Sequence, residues 1–222
     1  MMYRVNVSSG TNDFPASLVS LQKPTQMFVE SVTTGAPTLD PSIASYTPTD
    51  AVTLIDRINN YDSLSMTNVS YSSGALTFGT TSMVTLPPIP VDGSSTLIFD
   101  FRIRWRSSAV PFPYFFSTSN DFSGEFIKIG FKGTNTGDIR FYTEAADQTT
   151  ISAVFETNMT ADTFYDVKLI RIGTTVDCYL DGNFISSGTC KSGNLVLPSD
   201  NWYLGHASSL SFTGDVSFFK VG

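Results

Sequence analysis

The chain has 222 residues, of which 41% are hydrophobic and 13% aromatic, and a formal net charge of −7. This apolar content is enough for one globular core. The acidic balance argues against nonspecific nucleic-acid binding, which requires a basic face. We also expect no membrane insertion, because no stretch approaches the ~20 apolar residues of a spanning helix. Charged residues are only 15%, and a Ser/Thr-rich, weakly charged surface is typical of β-rich extracellular or virion proteins.

Residues 1–49 differ in composition from the rest of the chain. They contain five of the eleven prolines, among many Ser, Thr and Gly residues. A segment of this composition cannot build a core alone. We expect it to form an extended N-terminal arm that docks on a partner rather than a free tail.

After a short predicted helix over residues 49–59, the sequence predicts short strands separated by turn residues. The predicted strands are 75–79, 82–86, 96–106, 113–117, 125–132, 138–143, 150–156, 164–172, 175–180, 183–187, 202–205 and 215–221. Many short strands without a long helix indicate an all-β antiparallel β-sandwich, which we place at residues 50–222.

The predicted strand from residue 97 alternates between apolar and charged side chains. One face carries Leu97, Phe99, Phe101, Ile103 and Trp105. The other face carries Arg102, Arg104 and Arg106, which we call the arginine row. Period-two alternation makes the first face core and the second outward. The row either grips a sulfated, phosphorylated or sialylated polymer, pairs with Asp residues of a neighbouring subunit, or pairs with carboxylates of adjacent strands.

The last third of the chain has a distinctive order of features. A strand over 165–171 precedes a hairpin tipped by Asp181-Gly182, the dipeptide favoured in two-residue turns. A Trp-Tyr-Leu-Gly strand at 202–205 and a final strand at 214–221 follow. With residues 74–87 and 97–105 upstream, this order resembles the laminin-G-like branch of the concanavalin A-like superfamily. The resemblance implies a jelly-roll sandwich, a fold that carries lectins, hydrolases and purely structural modules. Ser217 stands where the family often has Asp.

The superfamily that the chain resembles includes glucanases, so we compare the acidic residues of the chain with the catalytic pattern of those enzymes. These enzymes place paired carboxylates on one strand at a Glu-x-Asp-x-x-Glu spacing, because retaining hydrolysis needs two carboxyl groups roughly 5 Å apart. That spacing is absent from the chain. The single histidine, His206, could act in a Ser-His-Asp hydrolase, but the sequence lacks the Gly-x-Ser-x-Gly motif that carries the nucleophilic serine in such enzymes. We therefore predict no catalytic residues and no enzyme activity.

If the sandwich has no catalytic site, its surface can still bind sugars. Flat aromatic faces stack on sugar rings, and Tyr114, Tyr142 and Trp202 are the candidates, each with a core position as the alternative. His206, which follows the strand at 202–205, and the arginine row complete the predicted ligand-binding residues.

We predict neither a cofactor nor a bound metal. Calcium is the alternative, because the loops at 120–125 and 200–201 and Asp181 are rich in oxygen ligands, although none matches a fixed calcium-loop pattern. Cys178 and Cys190 are expected to be unpaired thiols, with Cys178 opposite Ile185 in the hairpin.

These observations favour a noncatalytic structural or adhesion protein of a virus particle, expected to be a bacteriophage. The first six residues lack an apolar leader, which favours assembly into a particle over secretion. The expected partners are other virion proteins, through the arm, and a host-surface glycan, with a homo-oligomer as the assembled form. One alternative is a carbohydrate-binding module of a secreted bacterial protein. Another is an architectural cement protein that binds no sugar.

Overall fold

The computed structural model of the chain describes most of the region from Ala44 to Gly222. The described residues are 44–50, 54, 61–91, 96–106, 111–120, 124–133, 136–144, 150–191, 195, 197, 200–205 and 210–222. Within these ranges the structure contains strands and no helix, and therefore no helix that could cross a membrane.

Fifteen strands are formed by the described residues. In chain order they are β1 (Ala44–Tyr46), β2 (Ser65–Thr67), β3 (Ser70–Ser72), β4 (Ala75–Phe78), β5 (Met83–Leu86), β6 (Leu97–Trp105), β7 (Tyr114–Ser117), β8 (Phe126–Phe131), β9 (Ile139–Glu144), β10 (Thr150–Phe155), β11 (Phe164–Ile172), β12 (Thr175–Leu180), β13 (Asn183–Thr189), β14 (Trp202–Leu204) and β15 (Gly214–Val221). All twelve predicted strands are present, and β1, β2 and β3 are additional to the prediction.

The strands pair in two antiparallel sheets. In the described part of the chain, one sheet has eight strands in the order β13-β12-β11-β6-β15-β4-β3, with β1 also pairing with β15. The other has seven strands in the order β10-β9-β8-β7-β14-β5-β2. The predicted antiparallel β-sandwich is thereby confirmed.

The core lies between the inward faces of the two sheets. The predicted inward set of β6 is buried, and Phe99, Phe101 and Ile103 are each 0% exposed. The ring of Phe101 lies 4.9 Å from that of Phe219 on β15 and 5.0 Å from that of Phe115 on β7. Burying each such ring contributes about 1.5–3 kcal/mol, so this aromatic layer holds the two sheets together.

The sandwich begins earlier than the sequence indicated. Residues 44–46, which we assigned to the arm, form β1 and pair with Phe219–Val221 at the end of β15. The Tyr46 ring is fully buried and stacks on that of Phe219 at 5.5 Å. The pairing joins residues about 175 positions apart, which a local pattern cannot reveal. Residues 1–43, and most of the predicted helix at 49–59, lie outside the described residues.

The Asp181-Gly182 turn forms as the sequence predicts, with φ angles of 49° and 79°. Both angles are positive, as a two-residue hairpin of this kind requires. A β-bulge between Cys178 and Tyr179 nevertheless shifts the register, so Cys178 lies opposite Ser186. The prediction that Cys178 lies opposite Ile185 was wrong, because Ile185 is the extra residue of the bulge in β13.

Cys178 and Cys190 are free and buried, which confirms the expectation of unpaired thiols. Burial in apolar surroundings raises the pKa of Cys178 to about 12. A thiol with such a pKa stays protonated at neutral pH and is a poor nucleophile.

This shift predicts a loss of stability in alkali. In the unfolded chain the Cys178 thiol ionises near its usual pKa of 9.0, whereas the folded chain keeps the proton until about pH 12. The stability contribution is therefore complete below pH 9 and is lost as the pH rises towards 12. We expect the free energy of unfolding in urea to fall with a slope of up to about 1.4 kcal/mol per pH unit from this group.

The matched variant is Cys178→Ala, whose cavity cost does not depend on pH. Its free energy of unfolding should fall less steeply between pH 9 and pH 11 than that of the unmodified protein. Identical slopes would exclude Cys178 as the titrating group.

Candidate functional site

Two members of the arginine row, Arg102 and Arg104, lie on the outer face of β6, where the alternation placed them, and Arg106 directly follows the strand. Arg102, Arg104 and Arg106 are each partly exposed. Their guanidinium groups pair with carboxylates of adjacent strands and loops of the same chain. Of the three alternatives for the row, the intrachain pairing is therefore the one that the structure contains.

Asp215 on β15 is the central partner of the row. Its side chain is only 2% exposed. One carboxylate oxygen accepts hydrogen bonds from Arg104 at 2.8 Å and Arg106 at 2.9 Å, and the other accepts one from Thr77 at 2.6 Å. The hydrogen bond to Asp215 raises the pKa of the Arg104 guanidinium further above its usual value. This buried carboxylate therefore joins β4, β15 and β6 on one side of the sheet.

Arg102 makes a more exposed pair with Asp166 on β11, at 2.8 Å. Its guanidinium carbon also lies 5.7 Å from the centre of the Phe164 ring, and that of Arg104 lies 4.7 Å from it. These contacts hold the row against the sheet. A direct contact of the row with a polymer remains a prediction.

Trp202 on β14 is a core residue. It is 0% exposed, and its ring meets that of Phe116 edge-on at 5.6 Å. No face of the indole is open to a sugar, which corrects the expectation of a stacking surface there. The signal was available in the sequence, since Trp202 and Leu204 alternate with Tyr203 and share the inward face.

Tyr114 and Tyr142 lie together on the outer face of the seven-stranded sheet, with ring centres 6.4 Å apart. Tyr114 is only 2% exposed, and this burial raises the pKa of its hydroxyl. Tyr142 is partly exposed and lies 5.4 Å from the ring of Phe126. Of the two predicted tyrosines, therefore, Tyr142 is the one available for stacking and Tyr114 supports it.

Two cations lie among these rings. The ammonium of Lys128 is 4.5 Å from the centre of the Phe126 ring and 6.0 Å from that of Tyr114. Lys128 lies on the outer side of the sheet, opposite Tyr142, and is nevertheless 0% exposed. The buried ammonium of Lys128 therefore cannot itself meet a ligand in this conformation.

Arg140 is the second cation and the more accessible one. Its guanidinium carbon lies 5.0 Å from the centre of the Phe112 ring and 4.6 Å from that of Tyr142. It donates hydrogen bonds to Ser152 at 2.7 Å and to the Tyr114 hydroxyl at 3.3 Å. These bonds fix the orientation of the guanidinium plane between the two rings.

Phe112 is 41% exposed and has a φ of 55°. A positive φ is an outlier for a bulky residue and costs of order 1–3 kcal/mol, a strain that tends to occur at functional sites. We call Phe112, Arg140 and Tyr142 the aromatic patch. Sequence reasoning found Tyr142 but missed Arg140, although the i, i+2 spacing of the two places them on one face.

His206 lies outside the described residues. Among the residues that the structure does describe, no group of three or more His, Cys, Asp or Glu side chains could hold a metal ion. The calcium alternative thus gains no support from this part of the chain.

A laminin G family model described as the concanavalin A-like lectin/glucanases superfamily matches residues 78–221. This chain belongs to that superfamily. No curated protein sequence matches the chain. A domain of this family and fold is typically a binding domain.

Solved structures of similar fold include several binding domains. The binding domain of botulinum neurotoxin serotype D has a TM-score of 0.62 at 11% identity, over 82% of this chain and 47% of that one. Domain 4 of AbnA, an extracellular arabinanase from Geobacillus stearothermophilus in complex with arabinotriose, has a TM-score of 0.60 at 13% identity, over 81% and 90%. Domains LG4-5 of the mouse laminin alpha1 chain have a TM-score of 0.53 at 16% identity, over 69% and 43%. This chain thus spans about half of the toxin domain, and at these identities the likeness shows the fold alone.

The Asp215 network predicts a measurable loss of stability. Replacing Asp215 with Asn removes the charge that two guanidinium groups share, and should lower the free energy of unfolding by about 2–3 kcal/mol. This is below the roughly 3–5 kcal/mol of fully buried pairs, because both arginines are about one-third exposed. Urea unfolding followed by circular dichroism measures the difference.

The matched control is Asp162→Asn, which removes an exposed carboxylate 3.7 Å from Arg106. We expect a change of no more than about 0.5 kcal/mol, as for exposed pairs in general. Equal effects of the two substitutions would contradict the central role assigned to Asp215.

Proposed function

We propose that this chain is a noncatalytic glycan-binding module that meets its ligand through the aromatic patch. The observation that carries the proposal is the arrangement of Arg140 between Phe112 and Tyr142 on an exposed part of the seven-stranded sheet. Aromatic faces stack on the C–H faces of sugars, and a fixed guanidinium donates hydrogen bonds to their hydroxyl oxygens. Membership of a lectin-containing superfamily supports this choice.

We further propose that the module serves as an adhesion component of a virus particle, expected to be a bacteriophage. In this proposal residues 1–43 attach the module to other virion proteins, and the assembled form is a homo-oligomer that presents the aromatic patch to a host-surface glycan. Support comes from the Pro-rich composition of the N-terminal residues and from the low content of charged residues.

A second candidate is a carbohydrate-binding module of a secreted bacterial protein. One observation favours it: the similarity to domain 4 of the Geobacillus stearothermophilus arabinanase covers nearly all of that domain. The two candidates share the glycan-binding proposal and differ in what the chain is attached to.

The aromatic patch is tested on an array of immobilised glycans. We expect Tyr142→Ala and Arg140→Ala each to weaken binding at least about tenfold, since each removes a face or a donor at the centre of the contact. Tyr71→Ala is the control, because Tyr71 is similarly exposed at 38% but lies on β3 of the other sheet.

Three outcomes would redirect the proposal. Binding that neither Tyr142→Ala nor Arg140→Ala reduces would exclude the patch. A loss of binding on Arg102→Ser alone would move the site to the arginine row. An array on which the unmodified chain binds nothing would favour a purely architectural role.

The noncatalytic part of the proposal is tested by incubating the chain with a panel of polysaccharides. We expect no release of reducing ends, and any release that depends on the chain would contradict it. The virion part is tested by density-gradient purification of phage particles. The chain should sediment with the particles and its first 43 residues should resist protease there, whereas recovery only from the culture supernatant would favour the secreted module.

A further inference from the structure

A pocket lies on the outer face of the eight-stranded sheet. It has a volume of about 190 Å³ and is lined by Asp100, Asp166, Lys168, Gly182 and Phe218. The outward faces of the two sheets of a sandwich point in opposite directions, so this pocket lies on the other side of the domain from the aromatic patch.

The pocket is built by cross-strand register on β11, β6 and β15. Two rows of directly opposed residues run across these strands, Lys168–Asp100–Lys220 and Asp166–Arg102–Phe218. The Asp181-Gly182 turn closes one side, because the backbone N–H of Asp166 donates to the carboxylate of Asp181 at 2.8 Å. The walls therefore belong to strands and to a tight turn, which gives the pocket a fixed shape.

A β-bulge in β15 supplies the aromatic wall. The register of β15 against β6 shifts between Val216 and Phe218, with Ser217 as the extra residue. Without the bulge, strict alternation from Asp215 would place Phe219 outward. With it, Phe219 is buried in the core, and Phe218 lines the pocket and is partly exposed. Bulges commonly re-aim a side chain in this way beside a functional site.

Each of the two carboxylates that line the pocket is paired with a cation of a neighbouring strand. The Lys168 ammonium lies 3.4 Å from the Asp100 carboxylate, and Arg102 lies 2.8 Å from that of Asp166. A cation that enters the pocket would compete with Lys168 and Arg102 for the two carboxylates. Calcium would in addition need six to eight oxygen ligands. An anion would meet the two carboxylates. A neutral polar ligand is the class that this lining accepts.

The volume of the pocket and the side chains that line it indicate which neutral polar ligand would fit. At about 190 Å³ the pocket is smaller than the roughly 300–1,000 Å³ of sites for drug-sized ligands, so it has room for about one sugar ring. Carboxylates accept hydrogen bonds from hydroxyl groups, an ammonium donates to hydroxyl oxygens, and the face of Phe218 fits an apolar ring face. A polyhydroxylated ring satisfies all three at once.

We propose that this pocket binds a single neutral sugar ring, and that the domain thereby carries a second glycan site opposite the aromatic patch. The two sites share no residue and are independent in this proposal. Because they face opposite ways, one domain contacts two glycan chains at a time, and an array of domains gains avidity by linking them.

The test is a titration of the full-length, ¹⁵N-labelled chain with glucose, galactose and N-acetylglucosamine, followed by NMR. At least one of these sugars should shift the backbone amide signals of Lys168 and Gly182 in a saturable way, with a dissociation constant in the millimolar range. Phe218→Ala should weaken this response about tenfold or more. Lys168→Met keeps the length of the side chain without its donors, and should weaken it as well.

Two variants serve as controls. Phe184→Ala removes an aromatic ring that is 43% exposed on β13 of the same sheet and does not line the pocket, so the response should persist. It should also persist in Tyr142→Ala, which separates this site from the aromatic patch. If the chain binds no glycan on the array but still gives the NMR response, the proposal for the aromatic patch is contradicted and the proposal for the pocket is not.

Other results would overturn the inference. These are no shift at Lys168 and Gly182 with any of the three sugars, or shifts that survive both Phe218→Ala and Lys168→Met in folded protein. A response to glucosamine without one to the neutral sugars would also overturn it, since the site would then select an ammonium group.

Discussion

The rest of the structure depends on how one strand of the eight-stranded sheet, β6, packs against its neighbour β15 and against β7 of the other sheet. Its inward rings meet those of β15 and β7 at about 5 Å, and its outward side chains alternate with them. A slip of one residue would bring Arg102 and Arg104 into an apolar core, where unpaired charges are very costly. The inward aromatic layer therefore fixes the register of the sheet, and every outer-face side chain takes its place from that register.

Both proposed binding surfaces are consequences of this constraint. Arg140 and Tyr142 share the outer face of β9 because Ile139 and Phe141 fill the core between them. The pocket on the opposite side arises where Asp100, on β6, is placed between two lysines of its neighbours. Burial raises the pKa of the Asp100 carboxyl, while Lys168 acts in the opposite sense. The core thus determines which polar groups meet, although none of them belongs to it.

The sequence predicted most of the strands but few of the contacts. Strands such as 97–105 have strong alternation and the hairpin at 181–182 has a specific turn dipeptide, so local signals were sufficient. The three missed strands have three residues each, and β1 pairs with β15 at the far end of the chain, which a local pattern does not identify. β3, in contrast, forms a hairpin with β4 across Ser73-Gly74, a local turn that the sequence analysis did not recognise. The bulges at 178–179 and 216–218 insert one residue each. The position of a bulge depends on packing between strands, which the sequence of one strand does not reveal. Neither the partner of Cys178 nor the outward position of Phe218 could therefore be predicted.

The arginine row shows how pairing changes the meaning of a sequence feature. Three arginines on one strand face indicate a polyanion site only while their charges are unmatched. Here Asp215 and Asp166 accept hydrogen bonds from all three, and the chain as a whole is acidic at −7. A sulfated or phosphorylated polymer would have to displace these carboxylates and approach against that net charge. Neutral glycans face neither cost at the arginine row, and in our proposals they instead meet the aromatic patch and the pocket, where aromatic rings lie beside hydrogen-bond donors.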